Sequence, residues 1–129
     1  AVTCQRRPLF QDVETGRIVV REMMLSEFAG DVESICFVVM PDHFHWLVIL
    51  TGSKSLSSVT GRVKRHSARK INLRNGHNGR QIWQRGFHDH ALRRDEDVRR
   101  VARYIVANPL RAGLVKRIGD YPLWDAVWL

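Results

Sequence analysis

Cysteine is scarce in this chain: Cys4 and Cys36 are the only two. Neither belongs to a CxxC pair, and both lie among apolar, strand-like neighbours. Reduced, partly buried thiols are expected and no thiol chemistry. No apolar run approaches the roughly 20 residues needed to span a bilayer, and no basic-then-apolar signal segment opens the chain. A soluble cytoplasmic protein is therefore the expectation. Repeats, low-complexity tracts and linker-like stretches are also missing, so the 129 residues are expected to form a single domain. Acidic residues are the other shortage. Thirteen Asp and Glu stand against 21 Lys and Arg, a net charge of +8, with an isoelectric point near 10.5. Arginine supplies most of the excess, and its planar fork suits phosphate. Nucleic acid is the leading partner on this charge, although an anionic membrane surface would ask for the same.

With 44% hydrophobic and 26% charged residues, the chain has the composition of a globular protein with a real core. Residues 1–4 read as the end of a strand, as if the first strand were incomplete at its N-terminus. Arg6-Arg7-Pro8 makes a turn. Residues 12–29 have a helical pattern with Ile18, Met23, Met24 and Leu25 among the apolar positions, and Gly30 as a stop. Residues 35–40 are a buried strand, Pro41-Asp42 a tight turn, and residues 43–50 the antiparallel return, ended by Thr51-Gly52-Ser53. Residues 57–73 form a second helix with Val59, Val63, Ser67 and Ile71 on one stripe and a basic remainder. After a loop over 75–79, residues 87–92 read as a further strand. A third helix spans about 95–108, with Asp95, Glu96 and Asp97 at its positive end and Pro109 and Gly113 as terminators. This order predicts an α+β fold. It is the ferredoxin-like split βαβ antiparallel sheet, with helices on one face and a C-terminal helix that carries Tyr104.

Chemistry concentrates in two places. His43 and His45 stand two apart in an apolar strand, so they project to one side while Phe44 and Trp46 point to the other. Two imidazoles side by side are half of a metal site. Read alone, such a pair is more often one exposed histidine beside one hydrogen-bonded at a sheet edge. Downstream, Tyr104 and Asn108 are one helical turn apart, on the border of the stripe Val98, Val101, Ala102 and Ile105. Tyr121, the other tyrosine, sits beside Pro122 in what reads as a structural turn. A histidine pair with a helical tyrosine suggests phosphodiester chemistry.

Three blocks carry a family resemblance. They are Met40-Pro41-Asp42-His43-Phe44-His45-Trp46-Leu47-Val48, then Ile82-Trp83-Gln84-Arg85-Gly86-Phe87-His88-Asp89-His90, then Arg103-Tyr104-Ile105-Val106-Ala107-Asn108-Pro109-Leu110-Arg111-Ala112-Gly113-Leu114. In this order they resemble the single-tyrosine HUH transposases, and most closely the REP-associated tyrosine transposase branch. Arg6-Arg7-Pro8-Leu9-Phe10 and Asp120-Tyr121-Pro122 resemble the same branch. The resemblance implies a ferredoxin-like domain that cleaves and joins single-stranded DNA, with hairpins as substrates. It implies His43, His45 and Asn108 as metal ligands, Mg²⁺ or Mn²⁺ as the metal, and Tyr104 as the nucleophile that forms a 5′-phosphotyrosine link. The residues alone suit zinc too, so the choice of metal comes from the family. A monomer and a homodimer both occur in such a family.

For gripping DNA, the sequence nominates Arg62, Lys64, Arg65 and Arg69 on the second helix, with Arg6, Arg7 and Arg85 adding contacts. Trp83 is a candidate for stacking on a base or for the core. His90 is a candidate DNA contact or support for the metal site, while His88 with His90 forms a second His-x-His. Two other readings remain beside the transferase. One is a catalytically silent DNA-binding module of the same fold, and the other a replication-initiator-type nickase.

Overall fold

The computed structural model describes residues 1–89, 91–92 and 95–127. Helix α1 (Val13–Phe28) is capped by Asp12, whose carboxylate accepts from the Glu14 amide and the Thr15 hydroxyl. Strands β1 (Val32–Met40) and β2 (His43–Leu50) form a hairpin closed by the two-residue Pro41-Asp42 turn. Helix α2 (Leu56–Asn75) follows, capped by Ser55 and ended at Gly76. Helix α3 (Asp95–Val106), the short α4 (Asn108–Arg111) and strand β3 (Trp124–Ala126) complete the chain.

The sheet has the order β2-β1-β3, all antiparallel. Beyond β2, Val2 bridges to His43, and Thr3 bridges in turn to Trp83. The neighbours thus run Trp83, Val2–Thr3, β2, β1, β3. The first four follow the strand order of a split βαβ fold, with α1 crossing between the N-terminal segment and β1. The expected α+β architecture holds. The first strand is reduced to the bridges at Val2 and Thr3. Two strands differ from expectation. The strand expected at 87–92 is absent: residues 87–89 and 91–92 are irregular, and the pairing falls earlier, at Trp83. Strand β3 was missed, because three residues in a C-terminal segment show no period that a sequence can display; β3 exists through its pairing with β1 at Cys36, Phe37 and Val38.

Alternation along β1 divides the core. Phe37 and Val39 face a cluster with Ile18, Val19 and Met23 of α1 and Val63 and Ile71 of α2. Cys36, Val38 and Met40 face Ala102 and Ile105 of α3. Ile35 joins Cys36 on that second face because the register slips between Ser34 and Cys36, where a bulge adds one residue to β1. The sheet is therefore covered by α1 and α2 on one face and α3 on the other. Glu22 of α1 is fully buried between the helices, where it accepts from Lys70 Nζ (2.6 Å) and Arg62 Nη2 (3.4 Å).

Candidate active site

The register decides which face the histidines share. His43 pairs with Met40 and His45 with Val38, and directly opposed residues point the same way. Both imidazoles thus lie on the α3 side of the sheet, with ring centroids 5.1 Å apart and planes nearly perpendicular. Phe44 points the other way into the core, edge-on to Trp83. The Asp42 carboxylate meets His43 Nδ1 at 2.6 Å and pairs with Arg6 at 3.2 Å. Burial acts to raise the Asp42 pKa, but His43 and Arg6 outweigh it and hold the carboxyl below its usual range. This contact makes Nδ1 the donor and leaves His43 Nε2 with its lone pair outward. Burial, and then the positive charges of His43, the first amino group and Arg111, push the His45 pKa down to about 4. His45 is therefore neutral at pH 7, as a metal-ligating imidazole must be.

The pair opens on a cleft of about 570 Å³, walled by Trp46 and Leu47 of β2, Val101 and Ile105 of α3, and the segment Arg85–Asp89. His88 and Asp89 line this same cleft, whereas His90 lies outside the described residues. Among the described residues no three His, Cys, Asp or Glu side chains converge as a metal cage.

Helix α3 stops at Val106, two residues earlier than expected. Pro109 has no N–H to continue the ladder, yet the chain stays helical through α4 and ends at Gly113, whose φ of 72° suits glycine. Tyr104 is 62% exposed, and the Arg111 guanidinium lies 3.6 Å over its ring. Arg111 Nη2 also donates to Asn108 Oδ1 at 2.7 Å. Asn108 Nδ2 is buried without a partner. Arg111 thus touches both Tyr104 and Asn108 and acts electrostatically on His45.

The proposed DNA contacts divide. Arg65 and Arg69 are exposed on α2, and Arg85 is exposed beside the cleft. Arg6 is exposed but paired with Asp42. Arg7 donates to the Cys4 and Gln81 carbonyls. Arg62 has partners within the fold: it donates to the Glu22 carbonyl, the Glu22 carboxylate and Ser26 Oγ. So does Lys64, whose Nζ donates to the Gln84 and Gly86 carbonyls, both at 2.7 Å. It thereby ties α2 to the segment that walls the cleft. Trp83 packs in the core. It is 6% exposed, packs on Phe10 and Phe44, and donates to Ser67 Oγ. Sequence reasoning missed two residues at the site, Asp42 and Arg111. Both had signals: Asp42 adjoins His43, and Arg111 follows Tyr104 by seven residues and Asn108 by three, on one helical face.

A sequence model of the family described as "Transposase IS200 like" matches residues 1–108, a span that includes His43, His45, Tyr104 and Asn108. The chain belongs to the IS200-like transposase family. Within it the similarity lies with the REP-associated tyrosine transposases. The chain is 34% identical over 87 residues to the REP-associated tyrosine transposase of Escherichia coli (strain K12), which is 67% of this chain and 49% of that protein. A putative REP-associated tyrosine transposase of Haemophilus influenzae is 29% identical over 99 residues, 70% of this chain and 56% of the relative. The chain spans about half the length of these relatives. A solved structure of a REP-associated tyrosine transposase bound to a REP hairpin superposes with a TM-score of 0.75 at 25% identity, over 95% of this chain and 71% of that one. No helix among the described residues is long and apolar enough to cross a membrane.

Proposed function

We propose that this chain is the catalytic domain of a metal-dependent, single-tyrosine transferase. It cleaves single-stranded DNA beside a hairpin and rejoins strands through a 5′-phosphotyrosine intermediate. The observation that carries the reading is the juxtaposition of His43 and His45 on the α3 face, with Asp42 orienting His43. The residues present fit a divalent cation. They offer two imidazole lone pairs, and Asn108 would add its amide oxygen Oδ1, which here accepts from Arg111. When bound there, Mg²⁺ or Mn²⁺ would polarise the scissile phosphate and stabilise the charge that builds on it.

The chain's own residues do the rest. Asp42 holds the His43 ring and its tautomer. A phenol is a weak nucleophile near neutral pH, and Tyr104 gains from being placed in line with the phosphorus. Its oxygen forms the bond to phosphorus as the bond to the 3′-oxygen breaks; the phenolic proton is released to water and the leaving 3′-oxygen takes one up, giving a free 3′-hydroxyl. The link conserves the phosphodiester's energy, so a 3′-hydroxyl can later displace Tyr104 and reseal a strand without a nucleotide cofactor. The exposed Arg65, Arg69 and Arg85 supply cations for the DNA backbone.

The test is a denaturing gel with a 3′-labelled single strand carrying a hairpin and flanking sequence, with and without Mg²⁺ or Mn²⁺. A metal-dependent, detergent-resistant adduct is expected from the parent. Tyr104→Phe should lose the adduct and bind the hairpin as before. An adduct that persists in Tyr104→Phe refutes the nucleophile assignment. The silent DNA-binding module is kept as a second reading because Arg111 engages both the Tyr104 ring and the Asn108 oxygen. Tight hairpin binding without any adduct favours that module.

A further inference from the structure

Arg111 takes no part in the transfer steps described above, yet its contacts are specific. Its guanidinium covers the Tyr104 ring at 3.6 Å and donates to Asn108 Oδ1 at 2.7 Å. These contacts determine how Asn108 points. An amide has an acceptor end and a donor end. With Oδ1 on Arg111, the other end is Nδ2, which is buried and unpartnered. Turning the amide over while Arg111 stays would set donor against donor. Asn108 can ligate a cation only through Oδ1. If the cation lies on the Arg111 side, Oδ1 keeps a second lone pair, but the guanidinium, 2.7 Å from that oxygen, repels the ion. If it lies on the buried side, Asn108 presents a nitrogen that cannot ligate. Either geometry favours the cation once Arg111 lets go. Nothing else among the described residues accepts from Nδ2, so this arrangement is held mainly by Arg111.

We infer that Arg111 is a positioning residue that latches Asn108 and Tyr104 in a closed arrangement and competes with a divalent cation held by His43, His45 and Asn108, so that cation binding and release of both residues go together. The inference rests on the strand-transfer reading above. The latch couples two events at one residue: Asn108 gains a free oxygen and the face of Tyr104 is uncovered together. Arg111 is exposed, so its swing to solvent meets no packed wall, and its removal leaves the core intact.

The experiment is a titration of the whole chain with Mn²⁺ alone, with free Mn²⁺ followed by electron paramagnetic resonance. The parent is compared with His43→Ala, Arg111→Ala and Arg111→Gln. His43→Ala should lose the site. Arg111→Ala should bind Mn²⁺ tighter by roughly three- to tenfold, since a competing hydrogen bond and a like charge are removed. Arg111→Gln should move in the same direction by less, because its amide can still donate to Asn108. Mg²⁺ supplies a second readout by nuclear magnetic resonance. Arg111 side-chain signals shifted by the Tyr104 ring should move toward free-arginine values as Mg²⁺ saturates. Binding that depends on His43 but is unchanged or weaker in Arg111→Ala overturns the latch and spares the metal site. Ring-shifted Arg111 signals that stay in place while His45 signals move overturn it as well. Mn²⁺ binding that ignores His43 overturns the metal site, and the latch with it.

Discussion

Arg62→Ala and Arg65→Ala, made separately, distinguish two arginines of α2 that charge alone makes equivalent. Arg62 reaches the buried Glu22 carboxylate at 3.4 Å, the Glu22 carbonyl at 3.3 Å and Ser26 Oγ at 3.2 Å. The Glu22 side chain is only 1% exposed and cannot turn to water. Removing one partner of a fully buried pair costs on the order of 3–5 kcal/mol. Here Lys70 stays on Glu22 at 2.6 Å, and the Arg62 bonds are long, so about 2 kcal/mol is expected. For a chain of this length that is roughly 6–10 °C in melting temperature. Arg65 is exposed, so its loss should change stability by less than about 0.5 kcal/mol. It should instead flatten the salt dependence of hairpin binding by about 0.7–0.9 in slope for each phosphate that is no longer neutralised. Thermal melting gives the first quantity, and hairpin titrations at several salt concentrations give the second. If Arg62→Ala melts with the parent and loses salt slope as Arg65→Ala does, the assignment of Arg62 to the fold is wrong.

Asp42→Asn should weaken Mn²⁺ binding by about tenfold, the lower end of what losing an orienting carboxylate costs, while hairpin affinity changes little; unchanged Mn²⁺ affinity would remove Asp42 from the site. His45 has a folded-state pKa of about 4 against an ordinary 6.5, so the unfolded chain takes up this proton first. Stability should therefore fall as pH drops from about 6.5 toward 4, and His45→Gln should remove that part of the slope in denaturant midpoints; equal slopes in both proteins would refute it. Gly16→Ala would set its new methyl 2.4 Å from Leu123 Cδ1, which is itself buried. Overpacking of roughly 1–3 kcal/mol, against about 1 kcal/mol gained in helix propensity, leaves a net loss near 1 kcal/mol. A variant more stable than the parent would mean that the segment before β3 does not press on α1 as described.

Local pattern carried much of the fold. The α1 boundaries follow from Asp12 as a cap and the apolar spacing behind it. The β1–β2 hairpin follows from two apolar runs around Pro41-Asp42, and α2 from a stripe repeating every four residues. Each depends on neighbours a few positions away, which a sequence displays directly. The expected strand at 87–92 misled because apolar content without a pairing partner does not make a strand; Thr3 pairs with Trp83 instead. Strand β3 has the opposite problem, being too short for a pattern and made by its partner β1.

At the candidate site the same division holds. The two-residue period of an extended chain already placed His43 and His45 on one side, and the helical period placed Tyr104 near Asn108. Which side of the sheet the histidines occupy came only from pairing with Met40 and Val38, because strand register is a long-range choice. Charge likewise was legible as a total and not as a distribution of tasks. Arg62 and Arg65 look alike in sequence, yet buried Glu22 draws the first into the fold and leaves the second exposed. Trp83 was open between core and DNA until Phe10, Phe44 and Ser67 closed around it. Residue type and spacing thus set the chemistry that the chain can offer. Tertiary packing decided which of those groups remain available, because a side chain's partners are brought to it from distant parts of the chain.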